Sequence, residues 1–218
     1  MRDTPVPSAP PAPEVAASVF GAGLPGAERY VARLASDGVT RGLIGPREVP
    51  RLWERHVLNS AAVAEAVPEG ARVVDVGSGA GLPGIPLGLA RPDVTLTLVE
   101  PMARRVEFLE EVAGELGADW RVVRGRAEER SVVTAVGPVD VVTARAVAAL
   151  PRLVGWCRGL LRPGARMVAL VGARAVEELP SVLDELTAMG MTNVEPRAVG
   201  AGLGEAATTV VVMTRGTR

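Results

Sequence analysis

The sequence predicts an α/β fold: a mostly parallel sheet of seven strands, closed by a C-terminal antiparallel hairpin and preceded by a helical extension. Three observations predict it. From residue 71 onward, short Val-rich runs alternate with amphipathic stretches. A glycine-rich segment, VGSGAGLPG, joins the first of these runs to the helix that follows. The last two apolar runs, at 193–200 and 207–215, have no helical pattern between them.

The runs RVVDVG, VTLTLVE, WRVVRG, VDVVTAR and ARMVALVG have the length and β-branched content of strands. Helices are expected between them at 84–90, 103–116, 148–161 and 176–189. Alternation at this spacing needs right-handed crossovers, which make the strands parallel and cover both faces of the sheet. NVEPRAVG and ATTVVVMTR then close the sheet as a hairpin. Upstream, Tyr30, Val31 and Leu34 share one face, and Leu52, Trp53, His56, Val57, Ser60 and Val63 recur at helical spacing. Pro68 and Gly70 stop that second helix. The first thirteen residues hold five prolines, so 1–15 is assigned to a disordered tail. Residues 16–68 form the helical extension and 69–218 the α/β domain.

A chain of 218 residues buries roughly 70% of its unfolded surface on folding. No apolar run reaches the ~18 residues of a membrane span. The N-terminus lacks the apolar centre of a signal peptide. A single cysteine forms no internal disulfide, which fits the cytoplasm. No metal and no membrane partner are expected, and nothing demands an oligomer, so a monomer is expected. All 24 basic residues are arginine, and the net charge is −1. Their distribution is uneven: residues 145–174 hold six arginines and no acid, whereas residues 100–119 hold six acids and two arginines. A charge run is ordinarily a solvated face; here the basic run is also the candidate for a phosphate-binding face.

Gly77, Gly79 and Gly81 fall on the first strand-to-helix turn. Without Cβ they permit positive φ and close approach of a ligand, at the carboxyl end of the first strand, where strand order reverses and open α/β folds bind ligands. Three readings are open: a turn without ligand, a dinucleotide site, and an S-adenosylmethionine site. GAGLPG satisfies the dinucleotide fingerprint, but no G-K-[ST] follows, which removes the P-loop. Asp75 precedes the turn, giving D-x-G-x-G-x-G, where an apolar strand is more usual for nicotinamide cofactors. Glu100 ends the second strand and can accept two hydrogen bonds from a ribose diol; both cofactors offer one. The helix-free terminal hairpin is typical of methyltransferases and favours S-adenosyl-L-methionine. The third strand ends in GRAEE. There Glu128 can accept from an adenine amino group and the Ala127–Glu128 backbone can pair with the ring, or Glu128 and Glu129 start a solvated helix.

The fourth strand ends in VVTARAVAAL, with no Asp/Asn-Pro-Pro-aromatic segment of the kind that serves exocyclic amines. Cys157 lies mid-helix and reads as a small buried side chain. No general base and no nucleophile stand out. A substrate atom with a free lone pair needs only positioning and desolvation. Guanine N7, exposed on the major-groove edge, is one; a small-molecule nitrogen or thiolate is another. Arg145 is the sharpest candidate, able to bind phosphate, carboxylate or guanine O6; otherwise it is a solvent-facing start to the next helix. His56, the only histidine, either packs beneath the sheet or serves the site. Trp120 and Trp156 are expected in the core.

LWERHVLNS, VVDVGSGAGLPGIPLGLARPD, RRVEFLEEVAGELG, GRAEE and ARAVAALPRLVGWC together resemble the bacterial small-subunit ribosomal RNA guanine-N7 methyltransferases, also called the glucose-inhibited division protein B family. The resemblance runs from about Leu52 to the C-terminus, with the helical lead-in from residue 16. It implies a class I Rossmann-like methyltransferase that uses S-adenosyl-L-methionine to form 7-methylguanosine in the decoding region of 16S ribosomal RNA. Its partner would be 16S ribosomal RNA or the small ribosomal subunit. Carried over residue by residue, cofactor contacts fall on Gly77, Leu82, Ala127, Glu128 and Arg145, beside Gly79 and Glu100 from the reading above. Arg145 is then also the residue assigned to catalysis, and Arg55 and His56 meet RNA. One departure stands out: the family's L-K-G is here Leu170-Val171-Gly172, which removes a lysine and leaves Arg174 as the nearest substitute. The rival readings are a small-molecule methyltransferase of the same fold and a non-catalytic RNA-binding module.

Overall fold

A computed structural model describes residues 8–145 and 148–217. Its centre is a seven-stranded sheet in the order β3-β2-β1-β4-β5-β7-β6. The strands are β1 (Arg72–Val76), β2 (Thr95–Glu100), β3 (Arg121–Arg124), β4 (Val139–Arg145), β5 (Leu161–Val171), β6 (Met191–Val199) and β7 (Thr208–Arg215). The first five pair in parallel; β7 runs antiparallel to both β5 and β6. Strand order reverses at β1, whose neighbours are β2 and β4. That places the crevice for a ligand at the carboxyl end of β1.

Side chains alternate across the sheet and find a separate core on each face. Val73, Leu98, Val141, Val168 and Val210 join the core under α1 (Glu14–Phe20), α2 (Leu24–Arg33), α4 (Gly84–Ala90) and α5 (Ala103–Leu116). Val74, Val99, Val142, Met167 and Val211 join the core under α6 (Arg130–Val136), α7 (Leu150–Cys157) and α8 (Ala173–Ala188). Burial on both faces explains why these strands read as nearly unbroken apolar runs.

The helical extension differs from a separate unit. Tyr30, Leu34, Leu52 and Val57 lie in the same core as Val73 and Leu98. After α2 the chain continues as a wider π-helical turn, Leu34–Gly38. A second stretch runs from a 3-10 turn at Pro46–Arg51 through a π-helical segment, Leu52–Leu58, into α3 (Asn59–Ala61). The tail boundary also moves. Residues 1–7 of the proline-rich stretch lie outside the described residues. Ala9 and Ala12 pack against the core, the Trp53 indole N–H donates to the Pro10 carbonyl (3.0 Å), and α1 starts at Glu14.

Two element boundaries shift as well. The helix expected over 148–161 covers only Leu150–Cys157, because the Leu160 carbonyl accepts from the Val139 amide (2.9 Å) and so enters the sheet. The helix expected from 176 begins at Ala173, behind Gly172 in extended conformation. The expected strands are all present, and a 3-10 turn, Ala201–Ala206, is the sole helical element between β6 and β7.

Candidate active site

β1 delivers the chain into the glycine turn. Gly77 (φ +70°), Gly79 (φ +58°) and Gly81 (φ +99°) adopt the left-handed conformations that a side chain disfavours. The Gly77 amide donates to the Val99 carbonyl (2.8 Å), which ties the turn to β2. Asp75 sits beneath it, fully buried. Its Oδ1 accepts from the Thr143 hydroxyl of β4 (2.9 Å), while the Ser78 hydroxyl donates to its backbone carbonyl (3.0 Å). Burial pushes the Asp75 carboxyl up to about 6, against the opposing pull of the Ser78 and Thr143 hydroxyls. From the helical layer, the buried Tyr30 hydroxyl donates to the Ala80 carbonyl in the turn (2.8 Å).

Beside the turn opens a pocket of about 210 Å³. Val76, Gly77, Val99, Glu100 and Pro101 form its strand side; Gly125, Arg126, Ala127 and Glu128 form its far end. Glu100 is only 1% exposed. Its Oε2 accepts from the Gly79 amide and its Oε1 from the Met102 amide, both at 2.9 Å. Arg105 Nη1 approaches Oε2 at 3.6 Å. A carboxylate oxygen carries two acceptor positions, so each oxygen keeps capacity for a hydroxyl after its amide bond. A fixed, buried acceptor beneath an apolar cleft suits the ribose diol and adenine ring of S-adenosylmethionine. Here Gly77, Glu100, Ala127 and Glu128 come together, and Gly79 joins them through its amide. α6 starts at Arg130, so Glu128 stays on the pocket rather than on a helix.

Trp156, expected in the core, packs partly buried against the core under α6, α7 and α8 and also lines this pocket from α7. Leu82 lines neither this pocket nor the one described next; it packs half-buried against the core of the helical layer.

The second pocket, of about 300 Å³, opens at the ends of β4 and β5. Leu150, Leu153, Leu170 and Val171 supply apolar walls, and among the described residues Arg145 is its one charged lining residue. Arg145 reaches back to the helical layer. It donates to the Arg55 carbonyl (2.8 Å), the Ser60 hydroxyl (3.0 Å) and the His56 carbonyl (3.4 Å), and Nη2 lies 3.4 Å from His56 Nδ1. Among the described residues no carboxylate accepts from it. Burial lowers the Arg145 pKa, yet a guanidinium stays charged. Arg145 therefore does not line the first pocket; it joins the second pocket to Arg55 and His56. Both of those side chains are held by Glu48, which the sequence reading did not single out. Arg55 Nη1 lies 3.1 and 3.2 Å from the two carboxylate oxygens, and His56 Nε2 lies 2.9 Å from Oε2.

The basic run 145–174 is not one face. Arg145, Arg152 and Arg174 lie at the pocket end of the sheet, on the end of β4 and the first turns of α7 and α8. Arg158, Arg162 and Arg166 lie toward the opposite end, because each strand-helix crossover reverses direction. Arg162 pairs there with Asp140, and Arg166 donates to the Ala66 carbonyl (3.4 Å). Arg174 pairs with Glu178 on the surface (2.7 Å), so among the described residues Arg145 is the cation in the wall where Val171 stands. Cys157 is buried, and burial pushes its thiol well above the ordinary range. Among the described residues no group of three metal-ligating side chains comes together, and no helix is long and apolar enough to cross a membrane.

A family model described as "rRNA small subunit methyltransferase G" matches residues 21–202. A ribosomal RNA small subunit methyltransferase G of Mycolicibacterium gilvum is 54% identical over 203 residues, covering 93% of this chain and 89% of that protein. The protein of the same name from Streptomyces avermitilis is 56% identical over 203 residues, covering 93% and 84%. Among solved structures, the ribosomal protein L11 methylase of Lactobacillus delbrueckii subsp. bulgaricus superposes with a TM-score of 0.54 at 17% identity. That match covers 73% of this chain and 77% of that one, and the likeness is one of fold.

Proposed function

Since the chain belongs to the rRNA small subunit methyltransferase G family, we propose that it transfers the methyl group of S-adenosylmethionine to N7 of a guanine in 16S ribosomal RNA, forming 7-methylguanosine. One observation carries the choice of acceptor atom. The second pocket presents one guanidinium and apolar walls, and among the described residues no carboxylate, imidazole or thiol lines it. Such a pocket has nothing to deprotonate an amine or to attack a ring carbon. It suits an acceptor whose lone pair is already free.

S-adenosylmethionine supplies an electrophilic methyl on a sulfonium. Glu100 would hold the ribose diol, its carboxylate being fixed by the Gly79 and Met102 amides. Val99, Met102 and Trp156 would line the adenine, with Ala127 and Glu128 supplying polar groups to it. The target base enters the second pocket, where Leu150, Leu153, Leu170 and Val171 exclude water from its faces. Arg145 donates to O6 or to the adjoining phosphate and so orients N7. Both pockets draw on α7, through Trp156 in one and Leu150 and Leu153 in the other. Rate enhancement comes from orientation and desolvation in this arrangement, without proton transfer by the protein.

The test is transfer of labelled methyl from S-adenosylmethionine to isolated small ribosomal subunits, with the product nucleoside identified by mass. The expected product is 7-methylguanosine. Label on adenine, on a pyrimidine carbon or on a small metabolite in place of RNA would overturn the reading.

A further inference from the structure

Glu48, His56 and Arg145 form a chain that runs from the protein surface to the wall of the second pocket. Glu48 Oε2 lies 2.9 Å from His56 Nε2, and His56 Nδ1 lies 3.4 Å from Arg145 Nη2. A guanidinium has donors only, and an ionised carboxylate has acceptors only. The ring nitrogen that faces Arg145 must therefore accept, and the one that faces Glu48 must donate. These two constraints select one state of the imidazole: neutral, with its hydrogen on Nε2. We propose that Glu48 is a positioning residue, which locks His56 in the Nε2–H tautomer so that unprotonated Nδ1 holds the Arg145 guanidinium at the second pocket.

The surroundings favour that state. The ring is faced by Glu48 from the Pro46–Arg51 turn, by Arg145 from β4 and by Arg55 on its own segment. Burial lowers the His56 pKa, the two arginines lower it further, and Glu48 opposes them. At neutral pH the ring is uncharged. Protonation puts a hydrogen on Nδ1 against a guanidinium donor and sets two cations side by side. Acid then frees Arg145 Nη2 from the ring, leaving its bonds to the Arg55 and His56 carbonyls and the Ser60 hydroxyl. Glu48 touches neither pocket; it also pairs with Arg55, and the tautomer reports its action through His56 apart from that ion pair.

The inference rests on the proposed function only for its effect on methylation; the tautomer is measured without substrate. The chain has one histidine, so nitrogen-15 NMR of the full-length protein reports this ring alone. At about pH 7.5, Nδ1 is expected at the unprotonated, pyridine-like position and Nε2 at the protonated one. Glu48→Ala should bring Nδ1–H or mixed tautomers and a lower His56 pKa. It should slow methylation of small subunits about tenfold at saturating substrate, the size of one lost hydrogen bond, with cofactor affinity unchanged. Glu48→Gln keeps an acceptor for Nε2–H and should restore the tautomer and most of the rate. A wild-type Nδ1–H tautomer, a cationic ring at pH 7.5, or a Glu48→Ala protein with unchanged tautomer would overturn the proposal. A chain that carries the Nε2–H tautomer but methylates no RNA would overturn the functional reading and support the tautomer assignment.

Discussion

Asp75 should make the fold less stable as pH rises from 4 to 6, opposite to the usual behaviour of a paired carboxylate. The side chain is fully buried, and its carboxyl is pushed from 3.8 up to about 6, chiefly by that burial. Between those two values the folded chain holds a proton that the unfolded chain has released. The stability that this group contributes is therefore fully present below pH 3.8 and is lost as pH rises through 6. A difference of about 2.2 pH units at 1.36 kcal/mol each gives a loss of about 3 kcal/mol from this group. Asp75→Asn removes the titration while keeping the shape and the acceptor for Thr143. Urea denaturation of both proteins at several pH values isolates the effect. The carboxylates held low by their partners, among them Glu48, Glu111 and Asp140, contribute equally to both and cancel in the difference. An amide nitrogen near the Gly84 N–H adds an offset, but that offset does not vary with pH. The stability difference should move by about 2 kcal/mol in favour of the variant between pH 4 and pH 7, because the unfolded carboxyl is already more than half ionised at pH 4. A difference that stays constant, or moves the other way, refutes the reasoning.

Tyr30→Phe leaves the buried Ala80 carbonyl without its donor; urea denaturation should show a loss of about 1–3 kcal/mol, and calorimetry should show weaker S-adenosylhomocysteine binding through the loosened turn. Trp156→Ala opens the wall of the first pocket and should weaken S-adenosylhomocysteine binding roughly tenfold by calorimetry, the cost of one aromatic contact, and it should also lower the melting temperature, since Trp156 packs against the core. Cys157, buried with its thiol pushed upward, should stay unmodified by a thiol reagent in the native protein and react fully in urea.

The sheet was legible because a strand buried on both faces writes itself as a Val-rich run of fixed length. The hairpin of β6 and β7 was legible from the missing helix between them. The first pocket was equally open to reading. Its residues come from strand ends: Gly77 and Glu100 each lie one residue past an apolar run, and Ala127 lies three residues past the end of β3. Trp156 was not, since it lies one residue from the buried Cys157 and its position on the helix edge depends on how α7 sits against the pocket. The partners of Arg145 lie 85 to 90 residues away in sequence. No local pattern carries a contact of that range, so its attachment to the helical layer emerged only in three dimensions. Glu48 sits in a proline-flanked turn without periodicity, where nothing separates a structural carboxylate from a solvated one. The basic run misled for a topological reason: a stretch that passes through a helix and a strand places its charges at both ends of the sheet.

Mapping of 7-methylguanosine in 16S ribosomal RNA from cells with and without this gene, by mass analysis of RNA fragments, tests the methyl transfer most directly. One 7-methylguanosine should disappear with the gene and return with the wild-type chain. An unchanged 16S modification pattern in the deleted cells would contradict that transfer.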